Sequence, residues 1–291
     1  MEPNDSSALV LGPAGRASTR VPGAPRLSAA SAAPLREIAA VDEQGVTRML
    51  HVPIERPLTL VVDGREIVTL MTLGTAPEWL ALGYLRNQRL IEEVTDIRSV
   101  EVDWTLGVAR VISQHGDLGG RAASPPLGCG LGTAFGDLLH RFDGLVPVTA
   151  ATTPQATIFA VLDSMRRHDA IHRAAGSVHS CALFQGDELM VAVEDVSRHN
   201  GVDMLTGFMR MHGVNGAGKI LFSTGRLTGE MVLKAAHNGI PVMISRNGTT
   251  ALGYELAGKL GMTLIGRAAN GRYVCYIGAE RIARDAAADI T

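Results

Sequence analysis

The sequence predicts an α/β protein whose C-terminal part is a mainly parallel sheet with flanking helices, joined to a smaller N-terminal α+β portion. From Gly176 onward, short apolar runs alternate with stretches of helical spacing, a pattern typical of βαβ crossovers. Apolar residues make up 46% and charged residues 19% of the 291 residues, which provides ample material for a core. The length is that of one large or two small domains.

The first two segments differ sharply in composition. Residues 1–36 are rich in Ala, Ser, Pro, Gly and Arg without apolar periodicity, and they are predicted to be a disordered extension. Residues 37–112 are predicted to be an α+β subdomain, with a hairpin turn at Asp63-Gly64 and a helix that begins at Pro77. Its predicted strands cover 51–54, 57–62, 66–71, 97–102 and 108–112.

A Gly/Pro-rich loop over residues 113–150 interrupts this pattern and contains Cys129. Long loops in compact proteins are often functional or disordered. Gly128 and Gly130 should leave the Cys129 thiol accessible, which favours a nucleophilic role over an incidental one. Cys181 and Cys275 alternate with apolar residues inside strands and are predicted to be buried. Three scattered cysteines favour neither a disulfide framework nor a zinc site.

The last segment, residues 151–285, is predicted to be the ligand-binding α/β domain. Its first element is a helix within 154–175, and its later helices cover 201–212, 228–238 and 249–260. Its predicted strands cover 178–184, 189–193, 219–223, 241–245, 262–266 and 273–277.

Three strand-to-helix junctions of this domain, 194–203, 223–230 and 245–250, each carry a hydroxyl, a glycine and an arginine. The carboxyl ends of parallel strands share one edge of a sheet, and helix N-termini there present free amide donors. This favours a phosphate-bearing ligand over N-capping alone. The candidate contacts are Arg198, His199, Ser223 and Arg226.

Two further polar features have open interpretations. His179 lies in an apolar strand, and a hydrogen-bonded core histidine is the favoured interpretation. The turn over residues 267–272 has an arginine at each end and is either a plain polar hairpin or an anion clamp.

Composition and motifs disfavour several classes of protein. A net charge of −2 argues against a nucleic-acid binder, and no apolar run is long enough to span a bilayer. There is neither a P-loop nor a Gly-x-Gly-x-x-Gly after a strand, so an ATPase or a dinucleotide enzyme is disfavoured. The sparse cysteines fit a reducing cytoplasm.

Several motifs, in order, make the chain similar to the FdhD family of formate dehydrogenase accessory sulfurtransferases, over about 55–282. The first motif is Glu55-Arg56-Pro57-Leu58-Thr59-Leu60-Val61-Val62-Asp63-Gly64. The second, Glu194-Asp195-Val196-Ser197-Arg198-His199-Asn200 with Asp203, resembles the family's E-D-V-G-R-H-N-A-x-D. The third, Ser223-Thr224-Gly225-Arg226 with Glu230-Met231-Val232 and Lys234-Ala235, resembles S-G-R-x-x-x-E-M-V-x-K-A.

This resemblance implies a sulfur carrier that accepts persulfide sulfur from a cysteine desulfurase on Cys129. It implies transfer to the molybdenum bis(molybdopterin guanine dinucleotide) cofactor before that cofactor enters formate dehydrogenase. It also implies a homodimer and a core related to cytidine deaminases, with no resident metal expected. The cofactor-binding residues it implies are Arg267, Ala268, Ala269, Asn270, Gly271 and Arg272, together with Arg198, His199, Ser223 and Arg226.

The chain departs from the family pattern in the cysteine loop. The family's C-G-x-C-G has a second cysteine where this chain has Gly132. A single thiol can accept and donate sulfane sulfur but cannot form a local disulfide. The alternative function is therefore a non-catalytic chaperone that binds the molybdenum cofactor. A zinc-dependent deaminase is disfavoured because its His-x-Glu and Pro-Cys-x-x-Cys motifs are absent.

Overall fold

A computed structural model describes residues 9–16, 18–116, 118, 145–148 and 151–284. The strands are β1 (Leu9–Leu11), β2 (Arg26–Leu27), β3 (Leu35–Val41), β4 (Thr47–Pro53), β5 (Arg56–Val62), β6 (Arg65–Thr72), β7 (Ile97–Asp103), β8 (Val108–Ser113), β9 (Thr153–Pro154), β10 (His179–Gln185), β11 (Glu188–Asp195), β12 (Lys219–Ser223), β13 (Val242–Ser245), β14 (Thr263–Ala269), β15 (Arg272–Ile277) and β16 (Ile282–Ala283). The α-helices are α1 (Pro13–Arg16), α2 (Pro77–Asn87), α3 (Gln155–His168), α4 (Ala170–Ala175), α5 (Arg198–Met211), α6 (Gly229–His237) and α7 (Ala251–Lys259).

The main sheet has seven strands in the order β1-β11-β10-β12-β13-β14-β15. Only the pairs β12–β13 and β13–β14 are parallel, so the prediction of a mainly parallel sheet is wrong and the sheet is mixed. The reason is that β10 and β11 form a hairpin through Gly186, and β12 then pairs with β10 rather than with β11. Because β10 is antiparallel to both neighbours, the carboxyl ends of β11, β12, β13 and β14 still share one edge.

The N-terminal part contributes a five-stranded sheet in the order β2-β7-β8-β5-β6 and a separate hairpin of β3 and β4. The predicted turn at Asp63-Gly64 joins β5 to β6, and both residues have positive φ. Only glycine and a few short polar residues adopt that conformation readily, which explains the turn.

Much of the predicted N-terminal extension is packed on the fold, so the prediction of disorder is wrong for its described residues. Strand β1 pairs with β11, with Leu9 opposite Val193. The Ser28 hydroxyl donates to Glu78 Oε1 at 2.5 Å. The β1–β11 pairing is made by backbone groups, which every residue carries, so the amino-acid composition of the segment could not predict it.

The sheet is covered on both faces. Helix α3 packs on one face through Ile158, Val161, Leu162 and Met165. Helices α5, α6 and α7 cover the other face and share a continuous core with α2 and the N-terminal sheet. The α2–α5 contact is close because Gly83 lies against the Asp203 carbonyl, and Gly207 lies against the Trp79 backbone. The α2–α5 contact thus joins the N-terminal part of the chain to the C-terminal sheet through α5, the helix that begins at Arg198.

Candidate functional site

The loops that follow β11, β12, β13 and β14 form one continuous strip along the carboxyl edge of the main sheet. The side chain of Arg198 lies directly over Gly225, where a Cβ atom would collide with it. The Asn247 amide donates to the Thr224 carbonyl at 2.8 Å, and the Arg267 N–H donates to the Asn247 carbonyl at 2.9 Å. The convergence of the predicted junctions on one edge is confirmed.

A cleft of about 390 Å³ lies between β6 and the start of α5. The C-terminal part supplies Arg198 and His199 as predicted, and Ser197 caps α5 by accepting from the His199 N–H at 3.3 Å. The full lining is Glu55, Thr69, Met71, His179, Val196, Ser197, Arg198, His199 and Asn200. The N-terminal wall of the cleft is formed by Glu55, Thr69 and Met71. The sequence gives no local signal for these residues, because they lie more than a hundred positions before Arg198.

Glu194, the first residue of the 194–203 junction, has a structural role. Its carboxylate accepts the backbone N–H groups of Ile171 at 2.8 Å and His172 at 2.9 Å, at the start of α4. The Ser180 hydroxyl donates to the same carboxylate at 2.9 Å. Burial raises the pKa of Glu194, while these hydrogen bonds lower it. The carboxylate thus fixes the N-terminus of α4 beside the cleft.

Asp195, the second acid, joins the N-terminal sheet to α5. Its Oδ2 accepts from the Thr72 hydroxyl at 2.5 Å and from the Leu73 N–H at 3.0 Å. Its Oδ1 accepts from the Ser197 N–H at 3.1 Å and from the Asn200 amide at 2.8 Å. Burial raises the pKa of Asp195 to about 6. All four bonds are internal, so this residue shapes the cleft rather than facing it.

The guanidinium groups of Arg198 and Arg226 lie close to His179, which lines the cleft. The pKa of His179 is lowered first by burial and then by the nearby charges of Arg198, His172 and Arg226. His179 lines the cleft and is only partly buried, so its interpretation as a core histidine is wrong. Arg226 is exposed. The two guanidinium groups attract an anionic ligand.

His199 lies next to a row of charged side chains that leads into the core. Its Nδ1 lies 3.6 Å from Glu230 Oε2, and Glu230 Oε1 lies 3.5 Å from Lys234 Nζ. Lys234 Nζ also lies 2.8 Å from Asp203 Oδ2, in an ion pair whose side chains are only 5% and 2% exposed. Burial, followed by the charge of Lys234, lowers the pKa of His199 to about 4, so the ring is neutral near pH 7.

The turn over residues 267–272 belongs to a second cleft, of about 480 Å³, on the α3 side of the sheet. Gly271 and Arg272 line it together with Gln155, Phe159, Tyr273, Cys275, Ala279 and Arg284. Arg267 and Asn270 have positive φ, at 51° and 52°, and Ala268 is buried in the sheet. Of the predicted binding residues, Arg198 and His199 therefore line one cleft and Gly271 and Arg272 the other.

The burial of Ser223, Cys181 and Cys275 decides three of the predictions made from the sequence. Ser223 is fully buried, where its hydroxyl accepts from the Gly225 N–H at 3.0 Å, so it has a structural role instead of the predicted binding role. The prediction that Cys181 is buried is confirmed, and burial raises the pKa of its thiol to about 12. Cys275 is only partly buried and lines the second cleft, so its predicted burial is wrong.

Cys129 lies outside the described residues, and so does Gly132. Within the described part of the chain, no group of three or more His, Cys, Asp or Glu side chains is placed to hold a metal ion. No helix of that part is both long enough and apolar enough to cross a membrane.

The α/β fold and the cationic edge agree with the resemblance found in the sequence, and comparison with known proteins identifies the family. The chain belongs to the FdhD/NarQ family, whose profile matches residues 53–283.

Individual relatives match over most of their length. The sulfur carrier protein FdhD of Bacillus subtilis (strain 168) is 30% identical over 254 residues, which cover 84% of this chain and 93% of that protein. The protein of the same name from Staphylococcus aureus (strain JH9) is 30% identical over 236 residues, 78% of this chain and 88% of that protein. The crystal structure of a putative formate dehydrogenase accessory protein from Desulfotalea psychrophila superposes with a TM-score of 0.70 at 27% identity, covering 86% of this chain and 98% of that one.

Proposed function

We propose that this protein is a sulfur carrier that serves a formate dehydrogenase. The observation that carries the proposal is membership of the FdhD/NarQ family, with relatives named sulfur carrier protein FdhD matching over most of their length. The name of the structural relative, a putative formate dehydrogenase accessory protein, supports formate dehydrogenase as the enzyme that receives the sulfur. A cysteine desulfurase is the proposed sulfur donor, the cytoplasm the proposed location, and a homodimer the proposed assembly.

Cys129 is the proposed carrier residue, because it occupies the position of the first cysteine in the family's loop motif. Its thiolate attacks the outer sulfur of the desulfurase persulfide. The new S–S bond forms on Cys129 as the old one breaks, and the desulfurase cysteine leaves as a thiolate, so no external oxidant or reductant is needed. Cys181 is a poor substitute carrier, since burial disfavours its thiolate.

The molybdenum bis(molybdopterin guanine dinucleotide) cofactor is the proposed acceptor, a substrate of this protein rather than its resident cofactor. Transfer of the sulfur to a molybdenum(IV) centre is balanced in electrons and atoms. The metal supplies the two electrons that convert sulfane sulfur to a sulfido ligand, and Cys129 leaves as a thiolate. Arg198 and Arg226 fit the phosphates of this cofactor, since both guanidinium groups lie close enough to His179 in the cleft to lower its pKa. Arg272, with the rest of the 267–272 turn, offers a further contact in the second cleft.

Intact-protein mass spectrometry after incubation with a cysteine desulfurase and cysteine tests the carrier role. We expect one added sulfur on the wild type and on Cys275→Ser, which removes a partly exposed thiol elsewhere. We expect none on Cys129→Ala. Sulfur that persists on Cys129→Ala, or that is absent from the wild type with an active desulfurase, contradicts the carrier role.

A non-catalytic chaperone that binds the molybdenum cofactor is the second candidate, and the glycine at position 132 is the observation that favours it. This candidate requires cofactor binding without sulfur loading. A Cys129→Ala protein that still activates formate dehydrogenase to the wild-type level would establish it.

The phosphate contacts are tested with guanosine diphosphate, the nucleotide portion of the proposed cofactor. Arg226 is exposed, so Arg226→Ala should weaken binding without altering stability. Arg98 is also an exposed arginine, on β7 of the N-terminal sheet, and Arg98→Ala is the matched control. Equal affinities of the two variants, measured by calorimetry, would remove Arg226 from the site.

A further inference from the structure

The row of charged side chains behind the cleft has no assigned task in sulfur transfer. We propose that Glu230 holds His199 as the tautomer protonated on Nδ1, so that Nε2 accepts a hydrogen bond from an N–H group of a ligand heterocycle. Lys234 and Asp203 act as positioning residues that hold Glu230. The inference rests on the proposed function for the identity of the ligand, but not for the tautomer.

The geometry fixes which ring nitrogen faces the carboxylate. His199 Nδ1 lies 3.6 Å from Glu230 Oε2, in a place where Nδ1 is buried and has no hydrogen-bond partner. An ionised carboxylate can only accept a hydrogen bond, so a protonated Nδ1 is favoured opposite it and a lone pair is repelled. Hydrogen bonds of this kind are often long in a free protein and shorten when the ligand binds.

Lys234 lies beside Glu230, and its positive charge favours the ionised carboxylate. Lys234 Nζ is 3.5 Å from Glu230 Oε1 and 2.8 Å from Asp203 Oδ2. Asp203 is itself held by the Asn87 amide, which donates to its Oδ1 at 2.7 Å. The ammonium group thus has a fixed position between two carboxylates, and the side of Glu230 turned away from it faces His199.

The remaining ring nitrogen, Nε2, is the one available to the cleft, since His199 lines it and Nδ1 is turned toward Glu230. Burial keeps the ring neutral near pH 7, so Nε2 carries a lone pair. The neighbouring guanidinium of Arg198 can only donate. The amino groups of guanine and pterin are donors, so a neutral histidine complements them where an arginine cannot.

A competing acceptor, Glu55, also lines the cleft, and a carboxylate there could contact the same amino group. The proposal therefore requires that selectivity for that amino group depend on His199 and Glu230 and not on Glu55. Guanosine diphosphate and inosine diphosphate are suitable probes, because they differ only by the exocyclic amino group.

The first experiment measures the tautomer directly, by two-bond ¹H–¹⁵N NMR of histidine-labelled protein, with His199→Gln used to assign the signal. We expect the Nδ1–H tautomer in the wild type and a mixture or the other tautomer in Glu230→Met, which keeps the size of the side chain and removes both its charge and its acceptor oxygens. A protonated Nε2 in the wild type, or an unchanged signal in Glu230→Met, overturns the proposal. This result does not depend on sulfur loading or on the ligand.

The second experiment measures the affinities of both nucleotides by calorimetry. We expect the wild type to prefer guanosine diphosphate by roughly three- to tenfold, the range of one hydrogen bond. The preference should disappear in His199→Leu and shrink in Glu230→Met. It should persist in Glu55→Gln and partly in His199→Gln, whose amide oxygen can replace Nε2.

Two results overturn the ligand part of the proposal: no preference in the wild type, or a preference lost only in Glu55→Gln. Thermal unfolding of each variant checks that it is folded. Persulfide formation on Cys129, measured on the same preparations, reports the carrier function separately. A protein that loads sulfur without discriminating the nucleotides refutes this inference and leaves the proposed function standing.

Discussion

Replacing Gly83 by alanine should destabilise the protein, although alanine is the better helix former. Gly83 lies in the middle of α2, where a methyl group would overlap the backbone carbonyl oxygen of Asp203 on α5. Because the obstacle is backbone rather than a flexible side chain, the two helices must separate. Gly207, on the other side of the contact, faces the Trp79 backbone in the same way.

The magnitude follows from two opposing effects. Alanine in a helix interior is favoured over glycine by about 1 kcal/mol. Overpacking a tight interior contact costs about 1–3 kcal/mol, and sometimes more. The overlap at Gly83 involves two backbones in a fully packed core, so the upper part of that range applies and the net loss should be about 2 kcal/mol.

Gly258 provides a matched control on α7. It is exposed, and the nearest atom to an added methyl group is Ile277 Cδ1 at 3.8 Å, an ordinary contact. Here only the helix propensity acts, so Gly258→Ala should stabilise by about 0.5 kcal/mol in the last turn of the helix.

Urea unfolding followed by tryptophan fluorescence measures both effects, since Trp79 lies at the α2–α5 contact and packs edge-on against Phe208. The decisive quantity is the sign of the change in the free energy of unfolding for the two variants. A Gly83→Ala protein as stable as the wild type, or more stable, would refute the reasoning from backbone contact.

Three further predictions concern buried ionisable groups. Lys234→Met should destabilise by about 3–5 kcal/mol, since it leaves the Asp203 carboxylate buried without its cation, and adding Asp203→Asn should recover part of this loss in a double-mutant cycle. Burial and the charge of Arg86 lower the pKa of His237 to about 4, so its contribution to stability, present above pH 6.5, is lost as the pH falls toward 4. Wild type should therefore lose more stability than His237→Gln between pH 7 and 4.5, and parallel pH profiles would contradict this. The Cys181 thiol, fully buried with its pKa raised to about 12, should react with a thiol reagent only after unfolding, as peptide mapping of native and denatured protein would show.

The local pattern of the sequence was sufficient to predict the elements, but not how the strands pair. The helix beginning at Pro77 and the strands on either side of Asp63-Gly64 were predicted because turn and helix-start signals lie within a few residues of one another. The position of β10 between β11 and β12 depends on contacts made across the chain. The same sequence pattern is compatible with a β10–β11 hairpin and with a parallel crossover, and only the pairing of β12 with β10 distinguishes the two arrangements.

In the candidate site, too, the local sequence pattern predicted some residues, whereas the roles of others depend on distant parts of the chain. Arg198 and His199 were found because a dense polar cluster follows a strand, and the structure places both in the cleft. No role was predicted for Glu194 and Asp195, the two acids just before them, and the structure shows that they accept internal hydrogen bonds from Ile171 and Thr72 on distant elements. A sequence shows which groups need partners, and only the fold shows whether the protein itself provides them.

The contact between Gly83 and Asp203 has a consequence for how the chain is made. Helix α2 buries its apolar face mainly against α5, which begins about 110 residues later. At about 5–20 residues per second, roughly 6–22 s pass between synthesis of the two helices. During that interval the Leu80, Leu82 and Leu85 side chains, all fully buried in the finished protein, lack their main covering helix. The nascent N-terminal half therefore keeps this apolar surface uncovered until α5 has emerged from the ribosome.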